Sequence, residues 1–481
     1  MPSLVLPLLA SLLAGSGDDD PLPRLGAEIT AAELSSHVHF LASDELKGRW
    51  TGAPETDRAA RYLARVLAES GLAPAGDDGG FLQAVEVARF VHVGPPKLGA
   101  RTSTGEALEA TYGVDFQVSV EGEPRSTGEL ALRWVRRLED LPEEARPGEV
   151  LVLDATRMQW REWLERRGMP DGAGWGLVLR LGADEPGEAS ARLPRAGRSA
   201  LSEAADPVDW VEARGALKAR LVAGEVAALR LTYAVEAERI RSYNVVAEIA
   251  GAGTPERPEL AREAVVFSAH YDHIGTTELR GRPAGEGGDS VYNGADDDAS
   301  GVACVLELAG ALAAGPAPAR TLVFLLATGE ERGLWGTYHY IRAPAVPMER
   351  TVCNLNFEML GRPDELVGGA GRMWLTGFER TNLGPRFAAD GLAIAPDARP
   401  EQNFFWRSDN RAFVEQGIVG QTLSTFNLHD DYHELTDEAD RIDYEHMQAC
   451  TRSALAAASI LASGDFRPEW NEGEPEIRGR R

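Results

Sequence analysis

Five short apolar segments alternate with helical ones in the second half of the chain, and this alternation leaves few folds open. The segments are NVVAEIA, EAVVFSAH, TLVFLLAT, VCNLNFEML and GIVGQTLS, and helical patterns begin near Ala299, Gly333, Arg380, Asp409 and Asp440. Strands that are apolar on both faces need cover on both faces, which indicates a mostly parallel or mixed central sheet between helices. We therefore predict an α/β fold whose ligands lie beyond the carboxyl ends of the strands.

The remaining segments predict further regions. Residues 26–93 show helical spacing around the loop GRWTG, and residues 94–235 contain short β-type runs separated by Pro, Gly and acidic turns, which is typical of an inserted, mostly-β domain. Residues 236–463 form the α/β core, and residues 464–481 a polar tail. Residues 1–16 are apolar and end in small residues, so they predict a signal peptide and export to the periplasm or the medium, although no Lys or Arg precedes the apolar run.

Charge and cysteine content exclude several classes of partner and site. The 481 residues carry a formal net charge of −26, so nucleic acid and anionic membranes would repel the protein. No segment beyond the signal approaches the roughly 20 apolar residues of a spanning helix, and we expect no stable membrane insertion once the signal is removed. Cys304, Cys353 and Cys450 lack CxxC spacing, so we expect buried thiols rather than disulfides or a thiolate zinc site.

Residues of metal-ligand type follow the predicted strands directly. They are His270, Asp272 and His273 after the second strand, Glu330 and Glu331 after the third, Glu358 in the fourth, His429 and His433 farther on, and the triplet Asp296–Asp298. Each alone has an ordinary structural explanation, but together they are expected to converge at one edge of the sheet. Imidazole and carboxylate without thiolate favour catalytic zinc, with cobalt and manganese as alternatives. Two histidines and three carboxylates suit two ions that share one aspartate of the triplet and hold a water between them.

At these residues the chain resembles the secreted two-zinc exopeptidases of the aminopeptidase Y, leucyl aminopeptidase and glutamate carboxypeptidase type. The motifs HYDHIG, GADDDASG, GEERGLWGT, NFEMLGR, SDNRAFVEQG and DYHELTD occur in the family's order. The resemblance covers residues 30–90 and 243–460. It implies the zinc exopeptidase fold, and it makes the inserted region similar to a protease-associated domain.

The resemblance also implies a ligand set for two zinc ions. His270 and Glu358 would be the outer ligands of one ion. Glu331 and His433 would be the outer ligands of the other, and Asp297 would bridge the two. Glu358 stands where the family usually has an aspartate that is one methylene shorter, so the carboxylate is kept and its reach is changed.

Catalytic and supporting roles follow from the same resemblance. Glu330 would be the general base, and Tyr432 would donate a hydrogen bond to the developing oxyanion. Asp272 would orient the first histidine ligand through that ring's second nitrogen, a frequent arrangement around metals. His273 and His429 are expected to be structural, because the ligand count is already met.

These implications favour a secreted zinc aminopeptidase that removes N-terminal residues from peptides, with a zinc-bridged hydroxide attacking the scissile carbonyl. A carboxypeptidase or dipeptidase would use the same ions and would differ in how the far end of the substrate is bound; the acidic charge favours a free amine over a carboxylate. A one-zinc relative of glutaminyl cyclase and a non-catalytic binding protein on the peptidase fold are the other hypotheses. Side-chain specificity and oligomeric state are left open by the sequence.

Overall fold

A computed structural model describes residues 22–119, 125–154, 174–182, 184 and 210–475. The predicted signal peptide and the last residues of the polar tail lie outside the described residues. The described chain divides into two compact units. The α/β unit contains residues 22–85 and 241–475, and the insert unit contains residues 86–240. Within the described residues, no helix combines the length and the apolar character needed to cross a membrane.

The elements are numbered in chain order. The strands are β1 (Ala73–Pro74), β2 (Leu82–His92), β3 (Lys97–Thr102), β4 (Ala107–Ala110), β5 (Phe116–Ser119), β6 (Arg125–Ser126), β7 (Leu130–Val135), β8 (Glu149–Leu153), β9 (Leu177–Leu181), β10 (Trp210–Ala213), β11 (Val226–Tyr233), β12 (Val235–Ile249), β13 (Ala264–His270), β14 (Thr321–Ala327), β15 (Thr351–Glu358), β16 (Met373–Leu375), β17 (Ile394–Pro396) and β18 (Val419–Ser424). The α-helices are α1 (Leu22–Glu28), α2 (Ala31–Leu41), α3 (Pro54–Glu69), α4 (Gly215–Val222), α5 (Thr277–Arg280), α6 (Gly301–Ala314), α7 (Trp335–Arg342), α8 (Leu383–Ala389), α9 (Asn410–Val414) and α10 (Tyr444–Ser463).

The sheet of the α/β unit has a parallel centre, with an antiparallel pair of strands on each side of it. Its strand order is β1-β12-β14-β13-β15-β18-β16-β17, with β2 also paired to β12. Strand β13 pairs in parallel with β14 and β15, and β15 pairs in parallel with β18. Strand β12 meets β14, and β16 meets β18, in the antiparallel sense. The prediction of a mostly parallel or mixed sheet is confirmed.

Alternate residues of the central strands face two different cores. Val265 and Phe267 of β13 belong to a core that includes residues of α2, α3, α6 and α10. Val266, between them, belongs to the opposite core with Tyr340 of α7 and Phe413 of α9. All seven residues of β13 are buried, which explains why its sequence is apolar throughout rather than alternating. Helices therefore cover both faces of the sheet, as predicted.

The predicted helix starts in the second half of the chain lie close to the observed ones. Helices α6, α7, α8, α9 and α10 begin within four residues of the predicted positions, at Gly301, Trp335, Leu383, Asn410 and Tyr444. In the N-terminal part, α2 and α3 flank the loop that contains GRWTG. Helix α2 begins after Thr30, whose side chain accepts a hydrogen bond from the backbone N–H of Glu33 and so satisfies one free donor of the first turn.

The described part of the insert unit is built mainly from strands. Its sheet has the order β4-β3-β11-β7-β8-β9-β10-β5, with β6 also paired to β11. Strands β7, β8, β9 and β10 pair in parallel, and the others in this sheet pair in the antiparallel sense. Its own core contains Leu98, Val150, Leu177 and Leu229. A separate core is what a domain needs in order to fold as a unit.

Candidate metal centre

The central strands of the α/β unit end at one edge of the sheet and bring the predicted ligands there. Strand β13 ends at His270 and β15 ends at Glu358. Strand β14, which lies next to β13, ends three residues before Glu330. Because neighbouring parallel strands end at the same edge, residues far apart in sequence approach one another.

Three consecutive aspartates enter this edge in the turn before α6, and each has a different role. Asp298 accepts hydrogen bonds from the backbone N–H groups of His270 (3.2 Å) and Met359 (3.0 Å), which join the ends of two strands. Asp296 accepts a hydrogen bond from the N–H of Gly361 at 2.7 Å. Asp297 is left to face the histidines. The charge that the triplet concentrates is therefore divided between one candidate ligand and two carboxylates that hold the surrounding loops.

Five predicted ligands form two groups that share Asp297. Oδ1 of Asp297 lies 3.3 Å from Nε2 of His270, which in turn lies 3.5 Å from Oε1 of Glu358. Oδ2 of Asp297 lies 3.0 Å from Nε2 of His433, which lies 3.0 Å from Oε1 of Glu331. In each group the ligand atoms all lie within 4.8 Å of one another. One carboxylate thus faces both groups with different oxygens.

The spacing of the candidate ligand atoms suits the binding of divalent ions better than hydrogen bonding among the side chains themselves. Nε2 of His270 and Oε1 of Glu331 are buried and have no hydrogen-bond partner among the described residues, although other polar atoms lie within 3.5 Å. Buried polar atoms normally have a partner. Ligand atoms about 2.0 Å from a tetrahedral ion are separated from each other by about 3.3 Å, which matches the spacing here. Imidazole and carboxylate donors without thiolate are those of catalytic zinc sites.

His273 has a position that the sequence did not predict. We expected a structural role, but its Nδ1 lies 3.0 Å from Oε1 of Glu331, and it belongs to the second group of candidate ligands. Its ring is completely buried, and neither nitrogen has a hydrogen-bond partner among the described residues. The signal that could have found it is its spacing, three residues after His270 and beyond the same strand end. His429 instead pairs with Asp296, with 3.0 Å between Nε2 and Oδ2.

Asp272 supports the site differently from the prediction. Nδ1 of His270 lies 3.2 Å from the backbone carbonyl oxygen of Asp272 and 3.8 Å from its carboxylate. The carboxylate is occupied elsewhere, because it accepts hydrogen bonds from the hydroxyl of Thr51 (2.8 Å) and the N–H of Glu330 (3.0 Å). The residue identified from sequence is therefore in contact with the ring, but through its carbonyl group. Its carboxylate holds the backbone of the candidate base.

The environment of Glu330 suits a group that accepts and returns a proton. Burial raises the pKa of Glu330 well above its ordinary value, and the negative charges of Glu358, Glu331 and Asp409 act in the same direction. A carboxyl group with a raised pKa holds a proton more readily near neutral pH than an exposed glutamate does. Divalent ions bound beside it would act in the opposite direction and lower this pKa.

Tyr432 lies next to the second group of candidate ligands. Its ring stacks on that of His433, with 4.0 Å between centroids and an interplanar angle of 18°. Burial raises the pKa of its phenol, and the charges of Asp297, Glu331 and Glu358 raise it further. The hydroxyl therefore stays protonated at neutral pH and can donate a hydrogen bond.

A mostly buried arginine, Arg362, holds the loop that carries Tyr432 and His433. The guanidinium of Arg362 lies 3.4 Å from Asp437 and 3.9 Å from Asp296, and it forms a shorter ion pair with Asp431. Asp437 in turn accepts hydrogen bonds from the backbone N–H groups of Asp296 and Asp297, at 3.0 to 3.1 Å. Burial, with the nearby charge of Asp296, raises the pKa of Asp437 to about 6. This network, which joins the loop to the aspartate triplet, was not predicted from the sequence.

A cavity of about 400 Å³, which includes space open to solvent, adjoins the candidate ligands. Glu358 and Tyr432 form part of its lining, so it opens on the first ligand group. Trp374, Phe404 and Phe426 supply aromatic walls, and the rings of neighbouring pairs lie 5.2 and 5.7 Å apart. Apolar walls beside a few polar groups are typical of small-molecule and side-chain pockets.

Known proteins resemble this chain in sequence and in fold. Residues 244–458 match the model of Peptidase family M28. A "Probable zinc metalloprotease" of Pyricularia oryzae is 38% identical over 98 residues, which are 20% of this chain and 17% of that protein. A "Vacuolar membrane protease" of Lachancea thermotolerans is 24% identical over 242 residues, which are 49% of this chain and 22% of that protein. The chain spans about a fifth of the length of these curated relatives.

Among solved structures, the aminopeptidase from Aneurinibacillus sp. strain AM-1 has a TM-score of 0.55 to this chain at 19% identity. The alignment covers 91% of this chain and 95% of that one, and it shows a shared fold. The region that matches the family model contains every candidate ligand from His270 to His433. Residues 244–458, slightly less than half of the chain, are thus similar to Peptidase family M28.

Proposed function

We propose that the protein is an exported, zinc-dependent aminopeptidase that hydrolyses N-terminal residues from peptides at a centre for two ions. The observation that carries this proposal is the position of Asp297, whose two oxygens face two separate groups of histidine and carboxylate donors. One carboxylate shared between two ligand sets is the arrangement of a two-metal hydrolytic site. Export rests on the predicted signal peptide over residues 1–16.

The side chains around the site have distinct tasks in this proposal. Zinc bound by the two groups would supply Lewis acidity and make water at the site easier to deprotonate. Glu330 accepts a proton from the attacking water and later returns it to the leaving amine. The N–H bond to Asp272 fixes the backbone of Glu330, while the adjacent Glu331 faces His433. The hydroxyl of Tyr432 donates to the oxygen of the scissile carbonyl as negative charge develops there.

A free N-terminal amine is the substrate group that this surface favours. The chain carries 75 acidic residues against 49 Lys and Arg, and the side chains that surround the site include several carboxylates. A protonated amine is attracted to such a surface, whereas a peptide with an additional negative charge is repelled unless a specific cation binds it. The charge therefore supports an aminopeptidase over a carboxypeptidase.

The test uses full-length protein that is stripped with a chelator and reconstituted with zinc. We expect about two zinc ions per chain and hydrolysis of leucine para-nitroanilide, whereas the N-acetylated substrate should resist. Glu330→Gln should lower kcat about 10²- to 10⁴-fold and should keep the zinc content, because Glu330 belongs to neither ligand group. Glu349→Gln is the matched control, since this glutamate is exposed and lies away from the ligand groups.

Several outcomes would contradict the proposal. An active Glu330→Gln variant would remove this residue from the role of base. Bound zinc without hydrolysis of any arylamide or peptide would reject the peptidase assignment. Near-zero zinc after reconstitution would favour a non-catalytic binding protein, and one ion per chain would favour the one-zinc alternative.

A further inference from the structure

The lining of the cavity beside Glu358 contains hydrogen-bond donors that have no acceptor among the described residues. Nε1 of Trp374 is buried and has no acceptor among the described residues, and the side chain is only 2% exposed. A buried N–H without an acceptor costs free energy unless a ligand or water supplies one. Trp374 lines the cavity, so an acceptor group held there could pair with it.

Two hydroxyl groups in the lining of the same cavity also have a proton available for donation to a ligand. The hydroxyl of Thr376 accepts a hydrogen bond from the N–H of Thr422 (2.8 Å), and that of Ser424 accepts one from the N–H of Phe426 (3.0 Å). Neither hydroxyl donates its own proton to an acceptor in the part of the chain that the structure describes. Each can therefore donate to a ligand while its oxygen remains occupied.

Acceptors in the lining are engaged elsewhere. The carboxylate of Glu358 accepts a short hydrogen bond from the hydroxyl of Ser408 through Oε2, and its Oε1 faces His270. The hydroxyl oxygen of Thr422 accepts from Asn356 and donates to Asn410. The polar groups that remain for a ligand are therefore mainly donors.

Arg407 adds a positive charge to these donors. Its guanidinium lies 5.0 Å from the ring centroid of Phe404, and it is the one cation among the described lining residues. None of the described carboxylates lies within 4.0 Å of it, although acidic residues outnumber basic ones in this chain by 75 to 49. Arginine without a carboxylate partner of its own is suited to bind a carboxylate of a ligand in a planar, two-point contact.

We propose that this cavity binds a carboxylate of the substrate, with Arg407 as the ion-pair partner and Trp374, Thr376 and Ser424 as further donors. The aromatic walls would cover the aliphatic part of the same residue. This inference rests on the proposed peptidase function and names its substrate class, which is peptides with an acidic group beside the scissile bond. The carboxylate could come from an aspartate or glutamate side chain or from the free C-terminus of a short peptide.

The experiment compares zinc-loaded wild type with Arg407→Gln. Arg411→Gln is the matched control, since Arg411 is also exposed but pairs with Glu415 and lies outside the cavity lining. Substrates are the para-nitroanilides of glutamate, glutamine and leucine, together with Leu-Gly and Leu-Gly amide. Zinc content and circular dichroism of each variant verify that the fold and the metal centre are retained.

We expect wild type to prefer glutamate over glutamine. In Arg407→Gln, kcat/KM for the glutamate substrate should fall about 10- to 100-fold, with less than about a threefold change for leucine. A loss confined to Leu-Gly, with Leu-Gly amide unchanged, would support the same cavity and assign the carboxylate to the peptide terminus. Equal behaviour of Arg407→Gln and Arg411→Gln on every substrate would overturn the proposal.

A binding measurement separates this inference from the proposed function. Calorimetric titration of the zinc-loaded protein with glutamate, glutamine and norleucine needs no turnover. Binding of glutamate that is weakened by Arg407→Gln and unaffected by Arg411→Gln would support the cavity assignment even if no peptide were hydrolysed. If norleucine bound as tightly as glutamate in wild type, the assignment would be wrong even for an active peptidase.

Discussion

Replacement of Arg362 by methionine tests whether a buried cation holds the loop that carries His433. Arg362 is the basic partner of Asp296, Asp431 and Asp437. The side chains of Asp296 and Asp437 are completely buried, and that of Arg362 is 13% exposed. Methionine keeps most of the apolar stem and removes the charge. The aspartates must then remain charged without this cation or take up a proton.

The expected loss of stability follows from these two outcomes for the aspartates. Removing one partner from a buried ion pair costs about 3–5 kcal/mol. Protonation limits that loss, because an aspartate with an unfolded-state pKa of about 3.9 costs about 1.4 kcal/mol per pH unit to protonate. The limit for one carboxylate is about 4 kcal/mol at pH 7 and about 1.5 kcal/mol at pH 5. We therefore expect Arg362→Met to lower the free energy of unfolding by about 3–4 kcal/mol at pH 7 and by about 1.5 kcal/mol or less at pH 5.

The pKa shifts of the surrounding carboxyl groups are consistent with a larger loss of stability at pH 7 than at pH 5. Burial acts to raise the pKa of Asp431, but hydrogen bonds from Thr436 and Arg362 hold it below its ordinary value. A carboxyl group with a lowered pKa contributes stability above its unfolded pKa and loses that contribution as the pH falls through its folded pKa. Asp437, with a pKa of about 6, is mostly protonated at pH 5 even in wild type. Because the two aspartates together carry more negative charge at pH 7 than at pH 5, the loss of Arg362 should cost more free energy of unfolding at pH 7.

The assay is urea unfolding of the metal-free protein in chelator at both pH values, followed by tryptophan fluorescence. Because the chain has two units, the transition of the α/β unit is identified as the one whose midpoint rises when zinc is added. Arg65→Met is the control. Arg65 is 59% exposed and pairs with Glu69 on the surface of α3, so its loss should cost about 0.5 kcal/mol or less.

Two results would refute the reasoning. Losses of similar small size for Arg362→Met and Arg65→Met would show that other contacts hold the loop. A large loss for Arg362→Met that did not decrease between pH 7 and pH 5 would show that its cause is packing rather than unpaired charge.

Two further predictions concern metal binding and packing. Zinc binding at pH 7.5 should release at least two protons per chain, measured by calorimetry in buffers of different ionisation enthalpy. Although burial opposes it, neighbouring carboxylates raise the pKa of His433 to about 10 and that of His270 well above its ordinary value, so both rings lose a proton when they bind zinc. Proton release near zero would mean that both rings are already neutral. Gly336→Ala should lower the free energy of unfolding by about 1–3 kcal/mol, because the added Cβ would overlap the carbonyl oxygen of Thr328. At Gly310 an added Cβ makes only an ordinary contact, so Gly310→Ala should stabilise α6 by up to about 1 kcal/mol. Equal urea midpoints for the two variants would contradict this prediction.

The aspartate triplet shows where sequence reasoning about the site stops. The motif predicted that one of three adjacent aspartates would face the ions, and the resemblance indicated Asp297. Chemically the three side chains are identical, and only the turn before α6 gives them different directions. The hydrogen bonds of Asp296 and Asp298 to loops on β15 and β13 join residues about 30 to 65 positions apart. No local pattern encodes such contacts.

The sequence by itself determined the class of fold and the residue types at the strand ends, because burial on both faces of a strand leaves a local pattern of apolar residues. Only the tertiary structure decided which atoms meet. It placed His273 among the candidate ligands and brought the carbonyl of Asp272 rather than its carboxylate to His270. It also placed Arg407 in the lining of a cavity, with none of the described carboxylates paired to it. These outcomes depend on distances across the fold and on the geometry of turns, and side-chain chemistry read along the chain contains neither.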